Sequence, residues 1–205
     1  MILTVAGWKG GISKTTTAVH LACYFGLKHG NTLLVDGDPN RSAMNWSRRG
    51  ELPFEVCDLF QAPMLSQGRS HIVIDTEAHP DDNQIETISK GCDLLVLPTS
   101  PNALAVEALL QTVKRLEAIA NYRVLISMVD SRKKTTARQA REALEKVGVP
   151  LFKTQIRLLS AYEKASLMGV PVYASGDKFG KIAWGEYEDL GKEIEALEHA
   201  EENAR

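Results

Sequence analysis

The sequence predicts a doubly wound α/β fold in which helices cover both faces of a mostly parallel sheet. Three observations support this class. Short aliphatic, β-branched runs recur along the 205-residue chain, longer segments with helical spacing separate them, and a glycine-rich loop follows the first run. Several runs are apolar throughout, as expected for strands buried on both faces. Because no proline-rich or low-complexity linker divides the chain, residues 1–205 are expected to form a single domain.

The predicted strands and helices alternate in chain order. Strands are expected at 2–6, 32–36, 71–75, 94–98, 122–129 and 151–156. Helices are expected after the glycine-rich loop, from near residue 40, over 137–147 and 184–197, and where a helical period aligns Val106, Leu109, Leu110, Val113 and Leu116. Ligands of such sheets bind beyond the carboxyl ends of the strands, so the site is expected at that edge.

The segment 7–16, G-W-K-G-G-I-S-K-T-T, lies between the first strand and the first helix, where a phosphate-binding loop belongs. Small residues allow backbone N–H groups to converge on phosphate oxygens, and a lysine ammonium reaches the outer phosphates. A threonine hydroxyl beside that lysine can hold Mg²⁺. The loop therefore predicts an ATP and Mg²⁺ site in which Thr15 contacts the metal and the nucleotide is bound by Gly10, Gly11, Ile12, Ser13, Lys14, Thr15 and Thr16.

Three aspartates are expected to complete the site. Asp36 and Asp38 end the second predicted strand, and Asp75 ends an otherwise apolar one. Asp38 can approach the γ-phosphate and a water molecule, and Asp75 can hold the metal through water. An alternative for Asp38 is that it caps the helix expected near Asn40.

The form K-G-G-x-x-K-T-T resembles the deviant Walker A box of the ParA/MinD family of ATPases. In that family the first lysine, here Lys9, reaches across a dimer interface to the partner's nucleotide. The resemblance thus implies catalytic roles for Lys9, Lys14 and Asp38, and it maps Asp36 onto the residue that supports the Mg²⁺ shell. The alternative is that Lys9 is a solvated loop lysine. Segments 35–47 and 94–104 also resemble short ParA proteins, so the similarity covers most of the chain.

The resemblance implies a cycle in which ATP sandwiches two subunits, the dimer binds DNA without sequence preference, and a cargo adaptor protein stimulates hydrolysis. The altered box is similar to that of the McdA branch, which distributes carboxysomes over the nucleoid, while plasmid or chromosome partition needs the same site. Most members carry Gly where this chain has Ser13, so an unusual hydrolysis rate is possible. The chain begins at the first strand, so operator binding through an N-terminal helix-turn-helix is not expected.

A cytoplasmic, nucleoid-associated protein of this kind needs a local basic surface, since the formal net charge of the chain is −2. Phosphate contacts suffice for binding without sequence preference. Arg157 is ambiguous, because family members line the nucleotide pocket with the corresponding segment. The candidate DNA-binding residues are Arg132, Lys133, Lys134, Arg138 and Arg157, with Arg141, Lys153 and Lys164 as further candidates.

Other functional classes fit less well. A MinD-like membrane shuttle needs a basic amphipathic C-terminal helix, but segment 198–205 is acidic and poor in large apolar residues. An iron-sulfur ATPase needs paired cysteine ligands, and Cys92 has no neighbouring partner. A metabolic P-loop enzyme, such as an ATP-dependent small-molecule ligase or kinase, remains an alternative because Glu77, His79 and Asp81 could face a substrate.

Overall fold

The fold is that of a computed structural model, which describes residues 1–7, 9–78, 87–88, 90–116 and 121–203. The strands in these ranges are β1 (Ile2–Gly7), β2 (Thr32–Gly37), β3 (Glu55–Asp58), β4 (His71–Ala78), β5 (Leu94–Thr99), β6 (Tyr122–Val129) and β7 (Leu151–Arg157). The longer helices there are α1 (Lys14–His29), α2 (Ser42–Ser47), α3 (Ala62–Leu65), α4 (Ala103–Leu116), α5 (Lys134–Lys146), α6 (Ser160–Met168) and α7 (Gly180–Glu202), and a 3₁₀ turn spans Val172–Ala174.

The strands form one sheet in the order β3-β2-β4-β1-β5-β6-β7, and every neighbouring pair is parallel. Parallel neighbours require crossover connections, and described helices lie in the connections that follow β1, β2, β3, β5 and β6. β1 lies centrally between β4 and β5. The loop after β1 therefore emerges from the middle of the carboxyl edge of the sheet, with the ends of β2 and β4 on one side and those of β5 to β7 on the other.

Strand alternation divides the core into two layers. Leu3 and Val5 of β1 pack in a cluster that includes side chains of α1 and α7, whereas Ala6 packs in a second cluster with α4 and α5. In β5, Val96 belongs to the first cluster and Leu97 to the second. Each fully buried side chain of this size contributes about 1.5–3 kcal/mol relative to an exposed one. Burial on both faces thus fixes the register of the central strands and the position of the loop they carry.

The predicted fold class is confirmed, and all six predicted strands are present. β4 extends to Ala78, three residues beyond its predicted end, and the helix expected near Asn40 begins at Ser42. β3 was not predicted, because Glu55 and Asp58 enclose only two apolar residues in a strand of four. Such a short, polar strand suits the edge of a sheet, where β3 lies.

Candidate nucleotide-binding site

The loop after β1 is shaped by glycines at two positions. A Cβ on Gly7 would lie 2.4 Å from Cδ1 of Ile12, so the Ile12 side chain packs over this glycine and would have to move away from any larger residue. Gly11 has φ +73°, a left-handed conformation that glycine adopts without a steric penalty. Trp8 lies outside the described residues. The described part of the loop is therefore folded tightly against the end of β1, as phosphate binding requires.

Ser13 is the N-cap of α1 and adopts a left-handed conformation, with φ 69° and ψ 24°. Its hydroxyl donates to the Ile12 carbonyl at 2.5 Å and makes no capping bond to the helix. The same carbonyl accepts a hydrogen bond from the buried Ser127 Oγ at 3.2 Å, which joins the loop to β6. Because the cap side chain is used elsewhere, the first N–H groups of α1 remain available to an anion.

Lys14 is buried at the start of α1, with 7% of its surface exposed. Its Nζ donates to the carbonyl of Lys9 at 3.3 Å. Burial lowers the pKa of Lys14, and the nearby carboxylates of Asp75 and Asp38 oppose this shift. Lys9 itself is exposed. The two lysines thus differ in environment. The Lys14 ammonium contacts the loop backbone near Asp38 and Asp75, whereas the Lys9 side chain faces solvent.

The aspartates lie at adjacent strand ends, since Asp36 of β2 is paired in register with Asp75 of β4. Asp36 Oδ1 accepts the Asp38 N–H at 3.1 Å, and its Oδ2 accepts the N–H of Met44 in α2 at 2.8 Å. Asp38 Oδ1 instead accepts the backbone and side-chain N–H groups of Asn40, each at 2.9 Å. Arg41 is the N-cap residue of α2 and its side chain makes no capping bond, so the Asp36 carboxylate supplies the side-chain cap, which is the role considered for Asp38.

Asp75 is completely buried, and neither of its carboxylate oxygens forms a hydrogen bond of normal geometry with the described residues. Burial raises the pKa of Asp75 to about 7, a shift opposed by the nearby Thr15 hydroxyl and the Lys14 ammonium. A buried carboxylate without a partner is costly unless a cation or a donor compensates it. Mg²⁺ prefers oxygen ligands and keeps several of its waters. Asp75 and Thr15 therefore fit a hydrated Mg²⁺ bound together with a nucleotide.

The loop and Asp38 line a pocket of about 690 Å³. This volume lies in the range of small-ligand and cofactor sites. Its wall away from the loop combines apolar and polar side chains and comes from the ends of β6 and β7 and from α6 and the residues before it. Met128 in this wall has φ 57°, a strained conformation for a residue with a side chain. The residues of this wall are Met128, Ile156, Arg157, Leu158, Leu159, Ser160, Tyr162 and Glu163.

The fully buried His20 of α1 connects the first turn of this helix to Val172. The N–H of Val172 donates to His20 Nε2 at 3.1 Å, which places the proton on Nδ1, and Nδ1–H donates to the Thr16 carbonyl at 2.7 Å. The ring stacks on Tyr187 at 4.7 Å, and the Tyr187 hydroxyl lies 3.3 Å from Thr17 Oγ1. Burial lowers the pKa of His20 to about 4. The expectation that His20 serves packing is consistent with these contacts.

The structure separates the basic candidates into two groups. Arg132, Lys133, Lys134 and Arg138 lie together after β6 and on the first turns of α5, all exposed. The guanidinium of Arg132 forms two hydrogen bonds with Asp130, at 3.0 and 2.9 Å, and Arg138 lies 3.7 Å from a glutamate one turn ahead. Arg157, by contrast, lies in the pocket wall.

Sequence reasoning missed several residues of the site. Ser127, Met128 and Tyr187 carry no motif. The parallel order of β5, β6 and β7 brings Ser127 and Met128 to the loop, and the packing of α7 brings Tyr187 to the pocket. Of the residues proposed for a metabolic substrate, Glu77 is half-buried, and His79 and Asp81 lie outside the described residues.

Comparison with known proteins identifies the family. The model of the CobQ/CobB/MinD/ParA nucleotide-binding domain matches residues 3–172. The chain belongs to this family. It is a ParA/MinD-type ATPase similar to McdA: the maintenance of carboxysome distribution protein A of Gloeobacter kilaueensis is 34% identical over 95% of this chain and 94% of the relative.

Solved structures show the same fold at low sequence identity. MinD of Aquifex aeolicus superposes with a TM-score of 0.75 and 14% identity, covering 95% of this chain and 96% of MinD. A complex of a Cyanothece McdA variant with ATP superposes with a TM-score of 0.69 and 16% identity, covering 96% of this chain and 95% of the McdA chain. Among the described residues, no helix combines the length and apolar character needed to cross a bilayer.

Proposed function

We propose that this protein is a ParA-type positioning ATPase that forms an ATP-sandwich dimer, binds nucleoid DNA without sequence preference and distributes a cargo, most simply a carboxysome. A cargo adaptor protein stimulates hydrolysis, and the ATPase works in the cytoplasm on the nucleoid. The observation that carries the proposal is that Lys14 and Asp38 line one pocket beside free helix N–H groups, with the buried Asp75 carboxylate near enough to Lys14 to raise its pKa against the effect of burial. The similarity to the Gloeobacter protein supports the carboxysome as cargo.

Within one subunit, the chain supplies most of the chemistry of ATP hydrolysis. The loop N–H groups and Lys14 bind the phosphates, and Lys14 offsets the charge that develops on them. Asp38 lines the pocket and has Oδ2 free of described hydrogen bonds, so it can orient the attacking water. Mg²⁺ would be held by Thr15 and Asp75, with Asp36 supporting its shell, and would supply positive charge that offsets the charge on the phosphates.

Lys9 supports the dimer part of the proposal. Its side chain is exposed, and only its backbone carbonyl contacts Lys14. A lysine placed beside the phosphate loop but not directed into it is suited to a second subunit's nucleotide. Sedimentation should show dimers with ATP and Mg²⁺, and Lys9→Ala should weaken them while leaving ATP bound. Wild-type protein that stays monomeric with ATP at tens of micromolar, an ordinary self-association range, would contradict the sandwich.

DNA retention tests the proposal against a metabolic enzyme. Retention on nonspecific duplex should require ATP and Mg²⁺ and should fall steeply with salt. Because Arg132 is already paired with Asp130, Lys133 and Lys134 should contribute more. The double variant Lys133→Ala, Lys134→Ala should lower the salt slope by about four in a dimer, roughly one per contact. Equal retention in the apo, ADP and ATP states, or none in any state, would favour the small-molecule enzyme.

A further inference from the structure

Asn40 lies two residues after Asp38, and both residues line the pocket. We propose that Asn40 is a positioning residue for ATP hydrolysis, whose side chain holds one carboxylate oxygen of Asp38 so that the other remains available to the attacking water. This assignment rests on the proposed role of Asp38 in hydrolysis and deepens it, because it names the group that controls the orientation of that carboxylate.

The backbone between β2 and α2 is fixed around Asp38. Pro39 has a locked φ and restricts the conformations open to the residue before it. The N–H of Asp38 donates to Asp36 Oδ1 at 3.1 Å, and the carbonyl of Asp38 accepts the N–H of Arg41 at 2.8 Å. With its backbone held on both sides, Asp38 keeps mainly the rotation of its side chain as a freedom.

Two donors of Asn40 reach the same oxygen of Asp38. The backbone N–H and the side-chain Nδ2 of Asn40 each lie 2.9 Å from Oδ1. The backbone bond is that of an ordinary Asx turn, which any residue except proline could form here. The side-chain bond is specific, since it needs a donor on a short side chain at position 40. The two bonds occupy Oδ1, while Oδ2 has no hydrogen bond within the part of the chain that the structure describes.

Electrostatic repulsion explains why Asp38 benefits from a neutral donor. Asp38 lies close enough to Asp36 and Asp75 to raise the pKa of both carboxyl groups. Like charges this close disfavour one another, and the ammonium of Lys14 is shared between Asp38 and Asp75. The Asn40 amide adds a donor without adding a charge. Because Asp38 lines the pocket while it is bonded to Asn40, this contact stabilises an orientation in which the carboxylate is at the site.

Steady-state ATP hydrolysis tests this assignment. Asn40→Ala removes the side-chain donor and keeps the backbone N–H. Its kcat should fall about tenfold, the lower end of the range for a hydrogen bond to a charged group, because Asn40 is exposed. KM and the Kd for ATP should stay within twofold of wild type, because the phosphate loop is unchanged. Asn40→Asp has nearly the same shape but cannot donate when ionised, so its kcat should fall at least as far.

A double-mutant cycle distinguishes positioning of Asp38 from a general effect on the loop. If Asn40 acts through Asp38, adding Asn40→Ala to Asp38→Ala should lower turnover by less than twofold, because the carboxylate that it orients is already absent. Asn45→Ala is the matched control, since Asn45 Nδ2 donates to the Asn40 carbonyl at 3.3 Å and not to Asp38. The kcat of this control should stay within twofold of wild type.

Four outcomes would overturn the positioning role and leave the proposed ATPase cycle standing. These are a wild-type kcat in Asn40→Ala, a loss of ATP affinity equal to the loss in kcat, a tenfold effect that persists in the Asp38→Ala background, and an equal loss of kcat in Asn45→Ala. Wild-type turnover in Asp38→Ala alone would instead overturn the catalytic role of Asp38 and this assignment with it.

Discussion

Replacing Ser13 tests whether the phosphate loop carries backbone strain. A residue with a Cβ in the left-handed region costs about 1–2 kcal/mol, and Ser13 has φ 69°. Ser13→Gly removes this cost but adds about 0.4–1 kcal/mol of unfolded-state entropy. Ser13→Ala keeps the strain, and both variants lose the hydroxyl bond to Ile12. The Gly variant should therefore be more stable than the Ala variant by about 1 kcal/mol.

Urea unfolding without nucleotide measures this difference directly, because the lost hydrogen bond cancels between the two variants. For a chain of 205 residues, 1 kcal/mol corresponds to a difference in Tm of about 2–4 °C. ATP binding should persist in Ser13→Gly, since the N–H groups of α1 do not depend on the hydroxyl. An Ala variant as stable as the Gly variant would show that the loop relaxes without cost and would refute the strain argument.

Three further perturbations address hydrolysis, the metal and pH. Asp38→Ala should reduce ATP turnover by about 10²–10³-fold yet keep ATP bound, whereas Lys14→Ala should lose nucleotide affinity. An Asp38→Ala protein with wild-type turnover would show that the catalytic role assigned to Asp38 is wrong. Addition of EDTA should weaken ATP binding by the wild-type protein but have less effect on Asp75→Asn, which titration calorimetry can measure. An equal effect of EDTA on both proteins would exclude Asp75 from the metal site. Burial lowers the pKa of His20 to about 4 in the folded protein, whereas the ordinary value is 6.5. Between these two pH values the unfolded chain binds a proton at His20 and the folded chain does not. The free energy of unfolding should therefore fall by up to about 3 kcal/mol from pH 6.5 to pH 4. That slope should shrink in His20→Gln, and an unchanged slope would assign it to other groups.

The sequence predicted the central strands well because they are buried on both faces and therefore mostly apolar. β1, β2, β5 and β6 all began where their apolar runs begin. The edge strand β3 was not predicted, because an edge strand needs little apolar surface and two of its four residues are acidic. What decides β3 is pairing with β2, an interaction between distant segments that no local pattern records.

The candidate site was predicted in part for the same reason. The loop, Asp36, Asp38 and Asp75 follow apolar strands, so their meeting point follows from the parallel sheet. The sequence did not show which of Asp36 and Asp38 binds the start of α2, because this depends on which carboxylate reaches the N–H of Met44.

Arg157 shows a second kind of limit. Its charge suggested a DNA contact as readily as a nucleotide contact, and its sequence neighbours do not include the partner that restrains it. Glu186 lies 29 residues away, on a helix that only tertiary packing brings to the end of β7. Charge in a sequence is visible, but whether that charge is already neutralised is not.

Helix α7 is held by carboxylates at several levels along its length, including Glu193, which accepts two backbone N–H groups of β7. Near the pocket, Glu186 binds Arg157, and nine residues later, about 14 Å along the helix axis, Glu195 accepts hydrogen bonds from Tyr24 at 2.9 Å and from His29 at 2.7 Å. The stretch between these anchors cannot be removed or displaced without loosening the pocket wall. Fusions for imaging or purification are therefore best attached after residue 203, whereas a truncation ahead of Glu195 would remove the hydrogen bonds to Tyr24 and His29.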